Sequence, residues 1–328
     1  MGNDIFITGV AGFIGYTTAL SLLKEGTAVT GVDNLNDYYD VQLKKDRLSE
    51  LQKFDNFSFH QLDISDRVAL EKLWSNEGPF TKVIHLAAQA GVRYSLKNPY
   101  SYATSNLLGH LTIMEMCRHT QGFEHLVYAS SSSVYGKNEK LPYSIDDRVD
   151  NPISLYAATK KSNELMSHSY SHLYGIPQTG LRFFTVYGPW GRPDMAPFIF
   201  TKSIIEGKPI SVFNNGDMRR DFTYIDDIVS GILGVLANPP TAENGQAPQR
   251  VLNIGNHRSE KLMDFVHLIE KELDKKAQID FLPMQPGDVK ETYADIEATR
   301  CLTGYEPTTT IAQGIPKFIA WFKEYYKA

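Results

Sequence analysis

A triplet of glycines near the start of the chain constrains the fold more than any other feature of the sequence. Asp4–Thr8 is a short apolar run typical of a buried parallel strand, and Phe13–Lys24 has the apolar spacing of a helix. Between them stand Gly9, Gly12 and Gly15, which permit a tight turn, a close approach of the backbone to a ligand, and close packing of the helix on the strand. The stretch predicts a strand, a turn and a helix whose N-terminus offers amide hydrogens and partial positive charge to a pyrophosphate.

A second predicted strand, Ala28–Asp33, ends in an acid where a dinucleotide-binding unit places a carboxylate to hold a ribose diol. Asn34 follows, and no arginine stands beside Asp33 to receive a 2′-phosphate. The pattern predicts NAD rather than NADP as the cofactor. A simpler alternative is that Asp33 only caps a helix or a turn.

Strand and helix patterns alternate along the following part of the chain, which predicts an α/β protein with a Rossmann-like doubly wound parallel sheet. Ligands of such sheets bind beyond the carboxyl ends of the strands, so residues that follow strand ends should converge on one crevice. The further predicted strands are Phe57–Gln61, Lys82–Leu86, His125–Ser130 and Gln178–Arg182, and the longest predicted helices of this part are Tyr102–Thr120 and Leu155–Tyr174. The predicted cofactor contacts are Gly9, Gly12, Phe13, Ile14, Gly15, Asp33, Asp63, Ile64, Leu86, Ala87, Ala88, Tyr156 and Lys160.

Tyr156 and Lys160 are the candidate reacting pair. They are four residues apart in the predicted helix Leu155–Tyr174, so their side chains should leave the same face. A free phenol has a pKa of about 10 and is a poor base, but a nearby ammonium favours the phenolate. We expect Tyr156 to take a proton from a sugar or alcohol hydroxyl while a hydride leaves for the cofactor, with Ser131 steadying the oxygen. The alternative for the bare spacing is an ordinary surface pair.

Composition and charge exclude several classes of function. The chain has 328 residues and a formal net charge of −5 with mixed signs, which argues against nucleic acid as a partner. No apolar run approaches the roughly 18–20 residues that span a bilayer, and the chain enters its first strand without a signal peptide. The nine histidines are scattered, so we expect no metal site. Cys117 and Cys301 fall in helical patterns and suggest buried thiols in a reducing cytoplasm.

Six motifs occur in order along the chain: GVAGFIG, HLAAQ, SSSSVYG, YAATK, LRFFTVYGP and RRDFTYIDD. Together they resemble the extended short-chain dehydrogenases/reductases of the nucleotide-sugar epimerase and dehydratase group over essentially the whole chain. The resemblance implies a bound NAD that acts catalytically and a site made of Ser131, Tyr156 and Lys160, with Lys160 also reaching the nicotinamide ribose. It further implies a C-terminal part that binds a nucleoside-diphosphate sugar.

The resemblance also sets the expected domain organisation. Residues 1–182, with about 224–254, should form the NAD-binding domain, and residues 183–223 and 255–328 a smaller C-terminal α+β domain that binds the sugar nucleotide. Tyr102–Thr120 and Leu155–Tyr174 resemble the two helices that form a four-helix dimer interface in this group. We therefore expect a homodimer.

Ser132 and Ser133 distinguish between the reactions of the group. Dehydratases that resemble this chain carry an Asp-Glu pair just after the catalytic hydroxyl residue, and decarboxylases acting on UDP-glucuronate carry a glutamate near the same place. The hydroxyl groups of serine titrate far outside the physiological pH range and cannot act as the acid and base of those reactions. The reaction that needs no such acid and base is oxidation and re-reduction at one carbon, which is epimerisation. A decarboxylase or dehydratase is the weaker alternative.

Two C-terminal stretches, Phe183–Ala196 and Leu282–Ile296, resemble the UDP-glucuronate 4-epimerases most closely. The expected reaction is C4 epimerisation of UDP-glucuronate to UDP-galacturonate through a 4-keto intermediate. Arginine can bind a carboxylate or a phosphate bidentately, and the hydroxyls can add neutral donors. The predicted substrate contacts are Ser131, Ser132, Ser133, Thr185 and Arg192 at the uronate, Arg220 at the diphosphate, Gln285 and Asp288 near the ribose or phosphates, and Arg93 at the phosphates or carboxylate.

Several alternatives stay open on the sequence alone. Arg192 is either a carboxylate ligand or an ordinary loop arginine paired with Asp194, and Arg93 has a surface role as its alternative. The substrate is alternatively a neutral UDP-hexose or UDP-N-acetylhexosamine, which would not need Arg192. A non-enzymatic NAD sensor on the same fold could dispense with Tyr156 and Lys160, and the presence of both disfavours it.

Overall fold

The structure, a computed structural model, describes residues 4–243, 245–285 and 287–328. The strands are β1 Ile5–Thr8, β2 Val29–Asp33, β3 Phe57–Gln61, β4 Lys82–His85, β5 His125–Ser131, β6 Gln178–Phe183, β7 Thr185–Tyr187, β8 Ile210–Phe213, β9 Arg219–Arg220, β10 Phe222–Tyr224, β11 Gln249–Ile254, β12 Glu260–Lys261 and β13 Ile279–Leu282. The helices are α1 Phe13–Lys24, α2 Val41–Leu51, α3 Arg67–Glu77, α4 Tyr94–Lys97, α5 Pro99–Tyr102, α6 Gly109–His119, α7 Leu155–Tyr174, α8 Ala196–Ile205, α9 Ile225–Leu236, α10 Leu262–Leu273, α11 Glu297–Thr303 and α12 Ile311–Tyr326.

Seven parallel strands form the central sheet in the order β11-β6-β5-β4-β1-β2-β3. The strand order reverses between β1 and β4, and two separate apolar clusters cover the two faces of the sheet. The larger cluster includes side chains of α1 and α9, and the smaller one side chains of α3 and α6. The predicted α/β class and doubly wound sheet are confirmed, with a crevice expected at the reversal.

Smaller strand pairs and helices complete the C-terminal part. β7 pairs with β10 and β8 with β13 in parallel, whereas β9 and β12 are antiparallel. The rings of Phe222 and Phe265 stack with centroids 4.2 Å apart, which attaches α10 to β10. Helix α12 begins with a reciprocal capping arrangement between Thr310 and Gln313. These elements form the α+β portion beside the sheet.

Helix α7 carries the candidate reacting pair and has well-defined ends. The Ser154 hydroxyl accepts the amide of Ala157 at 3.1 Å and so satisfies one of the free donors of the first turn. Gly175 ends the helix in the left-handed conformation, with φ +68, and its amide donates to Ser171. The predicted bounds Leu155–Tyr174 are confirmed.

The prediction of one regular helix over Tyr102–Thr120 was wrong in detail. A π-helical segment, Ala103–Leu108, lies between α5 and α6. Its wider turn brings the side chain of Asn106 against the backbone of Gln89. The side-chain oxygen of Asn106 accepts the backbone amide of Gln89 at 2.8 Å, and its side-chain nitrogen donates to the Gln89 carbonyl oxygen at 3.1 Å. No strand was predicted over β11, the seventh strand of the sheet.

The expectation of two buried cysteines is half right. Cys117 is buried in the smaller cluster, but Cys301 is exposed. Cys301 lies on the solvent side of α11, where its thiol donates to Glu297 at 3.2 Å. Helical periodicity alone did not show which face of this short helix is covered.

Buried histidines stabilise the sheet only in their neutral form. The His125 ring is fully buried between the Leu236 carbonyl at 3.2 Å and the Thr179 hydroxyl at 2.9 Å, and burial lowers its pKa to about 4. His110 is buried beside Ser167, and burial, with a smaller contribution from Lys160, lowers its pKa to about 3. Protonation of either ring therefore opposes folding.

We expect the free energy of unfolding to fall as the pH decreases from about 6.5 towards 4. In this pH range the two histidines bind protons in the unfolded chain but not in the folded chain. Each therefore contributes about 1.4 kcal/mol per pH unit to the slope of the free energy of unfolding. Urea unfolding at a series of pH values measures the slope. His125→Gln should reduce it by one proton, and His172→Gln, at an exposed position of α7, should leave it unchanged. An equal slope in the wild type and His125→Gln would contradict the assignment.

Candidate active site

A cavity of about 760 Å³ lies at the carboxyl ends of the central strands and extends to the C-terminal elements. Its wall contains all but one of the residues predicted from the sequence to bind cofactor or substrate. These are Gly9, Gly12, Phe13, Ile14, Gly15, Asp33, Asp63, Ile64, Leu86, Ala87, Ala88, Arg93, Ser131, Ser132, Ser133, Tyr156, Lys160, Thr185, Arg192, Arg220 and Asp288.

The exception is Gln285, which does not line the cavity, so its contact with a ligand stays a prediction. Its carbonyl oxygen accepts the amide of Asp288 at 3.2 Å. Asp288 itself lines the cavity.

The glycine turn forms one end of the cavity. A Cβ atom on Gly9, whose φ is +73, would lie 2.7 Å from the amide nitrogen of Ala87, and one on Gly15 would lie 2.1 Å from the Gly9 carbonyl oxygen. Gly12 is the N-cap of α1 and has no side chain to satisfy the first amides of the helix. The turn is therefore a backbone surface that a pyrophosphate can approach closely.

Two carboxylates lie where the adenosine end of a dinucleotide would bind. Asp33 ends β2, and its two oxygens accept the amides of Ala11 at 3.2 Å and Leu35 at 2.9 Å; burial raises its pKa. Burial also acts to raise the pKa of Asp63, but hydrogen bonds from Ser65 and Asn34 hold that pKa below its ordinary value. Both carboxylates have fixed orientations before any ligand arrives, which fits the recognition of ribose and base.

Ser131 and Tyr156 meet on the cavity wall. The Ser131 hydroxyl oxygen accepts the amide of Ser133 at 3.2 Å and the Ser133 hydroxyl at 3.0 Å. These two donors leave the Ser131 proton free for another acceptor, and Ser131 acts to lower the pKa of the Tyr156 phenol. Ser131, Ser133 and Tyr156 all line the cavity.

Lys160 is almost completely buried one turn further along α7. Its ammonium donates to the Ala129 carbonyl oxygen at 2.8 Å, and burial lowers its pKa to about 8. Burial raises the pKa of Tyr156, against smaller lowering contributions from Ser131 and Arg192. In the chain without its cofactor, burial therefore outweighs any effect of Lys160, because the low polarity that surrounds both groups disfavours the phenolate. The expected effect of the Lys160 ammonium beside a bound nicotinamide stays a prediction.

Sequence reasoning missed a buried ion pair beneath the serine strand. Arg182 donates to the two oxygens of Glu164 at 2.8 and 2.9 Å, and the Ser130 hydroxyl donates to Glu164 at 2.7 Å. Glu164 lies one turn after Lys160, so the pair fixes α7 against β5 and β6. An arginine inside the apolar run of β6 was the available signal, because a buried charge requires a partner.

The C-terminal wall carries Arg192, and the pairing with Asp194 that was expected as one alternative is present. Binding of a substrate carboxylate by Arg192 stays a prediction. Arg192 lines the cavity, but its guanidinium also donates to both oxygens of Asp194, at 3.0 and 2.5 Å. The Tyr38 hydroxyl donates to the same carboxylate at 3.0 Å. Burial acts to lower the pKa of Arg192, but Asp194 raises it above its ordinary value, so the guanidinium stays charged. No local sequence signal linked Tyr38 to a loop more than 150 residues away.

Two further arginines lie at the side of the cavity away from the sheet. Arg220 Nη2 is 3.7 Å and Arg93 Nη2 is 3.4 Å from the carboxylate of Asp288. Arg220 is held by the carbonyl oxygens of Arg219 at 2.9 Å and Lys290 at 3.1 Å. The Arg93 side chain is more than half exposed and lies over the Phe213 ring. This cluster could bind a diphosphate.

Within residues 4–243, 245–285 and 287–328, no group of three or more His, Cys, Asp or Glu side chains is arranged to bind a metal ion. In the same ranges, no helix is both long and apolar enough to cross a membrane.

The cavity wall therefore combines a backbone cradle, two carboxylates that could bind a ribose and a base, and the arginines Arg93 and Arg220. It also carries the phenol of Tyr156, the hydroxyl of Ser131 and the buried amine of Lys160. Such a site suits proton transfer beside a bound nicotinamide, and the cradle and Asp33 fit NAD without further change.

Comparisons with known proteins agree with this geometry. Residues 5–255 match the model of the NAD dependent epimerase/dehydratase family. Protein CapI of Staphylococcus aureus is 51% identical over 98% of this chain and 99% of its own length. UDP-glucuronate 4-epimerase 1 of Arabidopsis thaliana is 48% identical over 99% of this chain and 78% of its own length.

Among solved structures, the UDP-glucuronic acid 4-epimerase of Bacillus cereus, in complex with UDP-glucuronic acid and NAD, superposes with a TM-score of 0.90 at 35% identity. The match covers 98% of this chain and all of that one. The resemblance inferred from the six motifs is thereby confirmed, and the chain belongs to the NAD dependent epimerase/dehydratase family.

Proposed function

We propose that this protein is an NAD-dependent UDP-glucuronate 4-epimerase, which converts UDP-glucuronate to UDP-galacturonate through a 4-keto intermediate. The observation that carries the proposal is a charged arginine, Arg192, in the wall of the same cavity as Tyr156 and the glycine cradle. The matched relatives that bear this activity in their names support it.

In the proposed cycle Tyr156 is the base and acid for the oxygen on C4, and the Ser131 hydroxyl orients that oxygen. When bound, NAD supplies the hydride acceptor and donor at C4 and, in its oxidised form, a positive charge beside the phenol. That charge offsets the effect of burial, which otherwise keeps the proton on Tyr156. Lys160, held at the Ala129 carbonyl, adds a second polar group next to the proton.

The proposed role of Arg192 is to hold the C6 carboxylate, with the hydroxyls of Ser132, Ser133 and Thr185 as neutral donors. Once C4 is a ketone, the carboxylate is β to it, and such acids lose CO2 when the breaking bond aligns with the carbonyl π system. A held carboxylate avoids this alignment. Ser132 and Ser133 also leave the site without the acid and base that an elimination needs.

For the rest of the substrate we propose that Arg220 binds the diphosphate and that Arg93 and Asp288 close around it. An anchored nucleotide would keep the keto sugar in the cavity while the ring turns over.

We also propose that the chain divides into two domains, residues 1–182 with about 224–254 and residues 183–223 with 255–328. All seven strands of the central sheet lie within residues 1–182 and 224–254, except for the last residue of β6, and this supports the division.

The direct test is a proton NMR time course of the purified protein with UDP-glucuronate and, in a parallel tube, UDP-glucose, without added cofactor. We expect conversion of the uronate, seen as the change in the H4 couplings when the hydroxyl goes from equatorial to axial. Tyr156→Phe, which removes only the proposed base, should lower kcat by about a hundredfold or more.

If neither sugar reacts, NAD is added before the result is read. Turnover of UDP-glucose alone would contradict the proposed substrate, and steady release of CO2 would favour a decarboxylase. Full activity in Tyr156→Phe would contradict the mechanism.

Arg192→Ala separates the uronate from the neutral-hexose alternative. Loss of a charge-assisted contact should lower kcat/KM for UDP-glucuronate about tenfold to a hundredfold and leave the Ki of UDP-glucose nearly unchanged. Arg300→Ala, which removes an arginine paired with Glu306 on the surface, is the matched control. A neutral sugar nucleotide that reacts well and tolerates Arg192→Ala would identify the alternative substrate class.

We further propose that the protein is a homodimer. Large apolar side chains are exposed on α4, α5, the π-helical segment and α7, which lie side by side: Leu96, Tyr100, Leu108, Leu165 and Leu173. Light scattering at micromolar concentration should give twice the chain mass, and Leu165→Glu should lower it, whereas Val68→Glu on α3 should not. A monomeric wild type would contradict the proposal.

The cytoplasmic location expected from the cysteines stays a prediction.

A further inference from the structure

Arg192 already has an anionic partner before any substrate is present. Its Nε and Nη2 atoms donate to the two oxygens of Asp194, so the fork that would receive a uronate carboxylate is filled. Tyr38, on the loop that follows β2, donates to Asp194 from the cofactor side of the cavity. All three side chains line the cavity, so a substrate meets the complete cluster and not an isolated arginine.

The loop that carries Arg192 and Asp194 is firmly held. Arg47 is fully buried and donates to the carbonyl oxygens of Trp190 at 2.5 Å and of Ala11 in the glycine turn at 2.9 Å. Trp190 itself has a φ of +63, a conformation that needs such support. The backbone beside Arg192 is thus fixed relative to the cofactor cradle, and the guanidinium must meet a substrate close to where Asp194 holds it.

Resting on the proposed function, we propose that Asp194 is a specificity-determining residue that competes with the carboxylate of the substrate for Arg192. Arg192 is only partly exposed, so with the substrate as its sole counter-ion it would hold the uronate strongly, because release would leave a largely desolvated charge unpaired. Epimerisation requires the 4-keto sugar to turn over, which moves the carboxylate. With Asp194 available, Arg192 exchanges one carboxylate for another during that movement and is never left without a partner.

If Asp194 competes with the substrate carboxylate, removing its charge should strengthen substrate binding and slow turnover. Asp194→Asn keeps the shape of the side chain, removes its charge, and replaces one of the two oxygens that accept from Arg192 and Tyr38 by an NH2 group. The KM for UDP-glucuronate should then fall about threefold to tenfold, because the carboxylate no longer has a competitor, and kcat should fall as rotation is slowed. UDP-glucose has no carboxylate, so its Ki as a competitive inhibitor should stay within about twofold of the wild-type value.

The experiment measures KM, kcat and the Ki of UDP-glucose for the holoenzyme in three forms: wild type, Asp194→Asn and Asp194→Glu. Asp194→Glu restores the charge and should return the ratio of KM to Ki towards the wild-type value. Glu306→Gln removes a carboxylate from another arginine, Arg300, outside the cavity, and should change none of the three quantities. A purely structural role of Asp194 would change the constants for both sugars together.

An unchanged ratio in Asp194→Asn would overturn the proposal, and so would a rise in the KM for UDP-glucuronate, because Asp194 would then orient Arg192 for the substrate. If Asp194→Asn does not fold, a crystal structure of the wild-type holoenzyme with UDP-glucuronate decides. A sugar carboxylate within about 3.5 Å of the Arg192 guanidinium supports competition, and one bound elsewhere contradicts it. A wild type that does not epimerise UDP-glucuronate would instead refute the proposed function itself.

Discussion

Between β1 and β4 the order of the parallel strands reverses, so the chain leaves these two strands towards opposite faces of the sheet and a crevice opens between them. At this point the backbones of Gly9 and Ala87 approach so closely that a Cβ atom on Gly9 would lie 2.7 Å from the Ala87 amide nitrogen, so only glycine fits there. The residues that follow the neighbouring strands line the same crevice. Asp33 ends the strand on one side, and the serine run ends β5 on the other.

Charged groups that are buried around the crevice are hydrogen-bonded, and these contacts connect the elements that carry the site. Helix α7 presents Tyr156, Lys160 and Glu164 at successive turns, and the last two bind the Ala129 carbonyl and Arg182. Arg47 joins the glycine turn to the loop of Arg192. Removing one member of such a pair leaves a desolvated charge, so these contacts fix geometry even where their net contribution to stability is small.

Much of this arrangement could be predicted from the sequence, because local patterns determine it. The bounds of α7 were predicted as the structure has them, and strand ends followed by glycine, acid or serine identified part of the cavity wall. Contacts between distant segments could not be predicted. Tyr38 and Asp194 meet only after folding, and the Gln285 loop had a recognisable motif but no signal for its orientation. The burial of Tyr156 and Lys160, which raises the pKa of the one and lowers that of the other, could not be predicted from their spacing.

The central claim is that C4 of the sugar is oxidised and reduced again within one crevice by the same cofactor. UDP-glucuronate deuterated at C4 tests this directly when its conversion is followed by proton NMR. The account predicts that UDP-galacturonate keeps the deuterium at C4, because a hydride held between sugar and cofactor does not exchange with water. A product that gains an H4 signal from the solvent at the rate of epimerisation would contradict it.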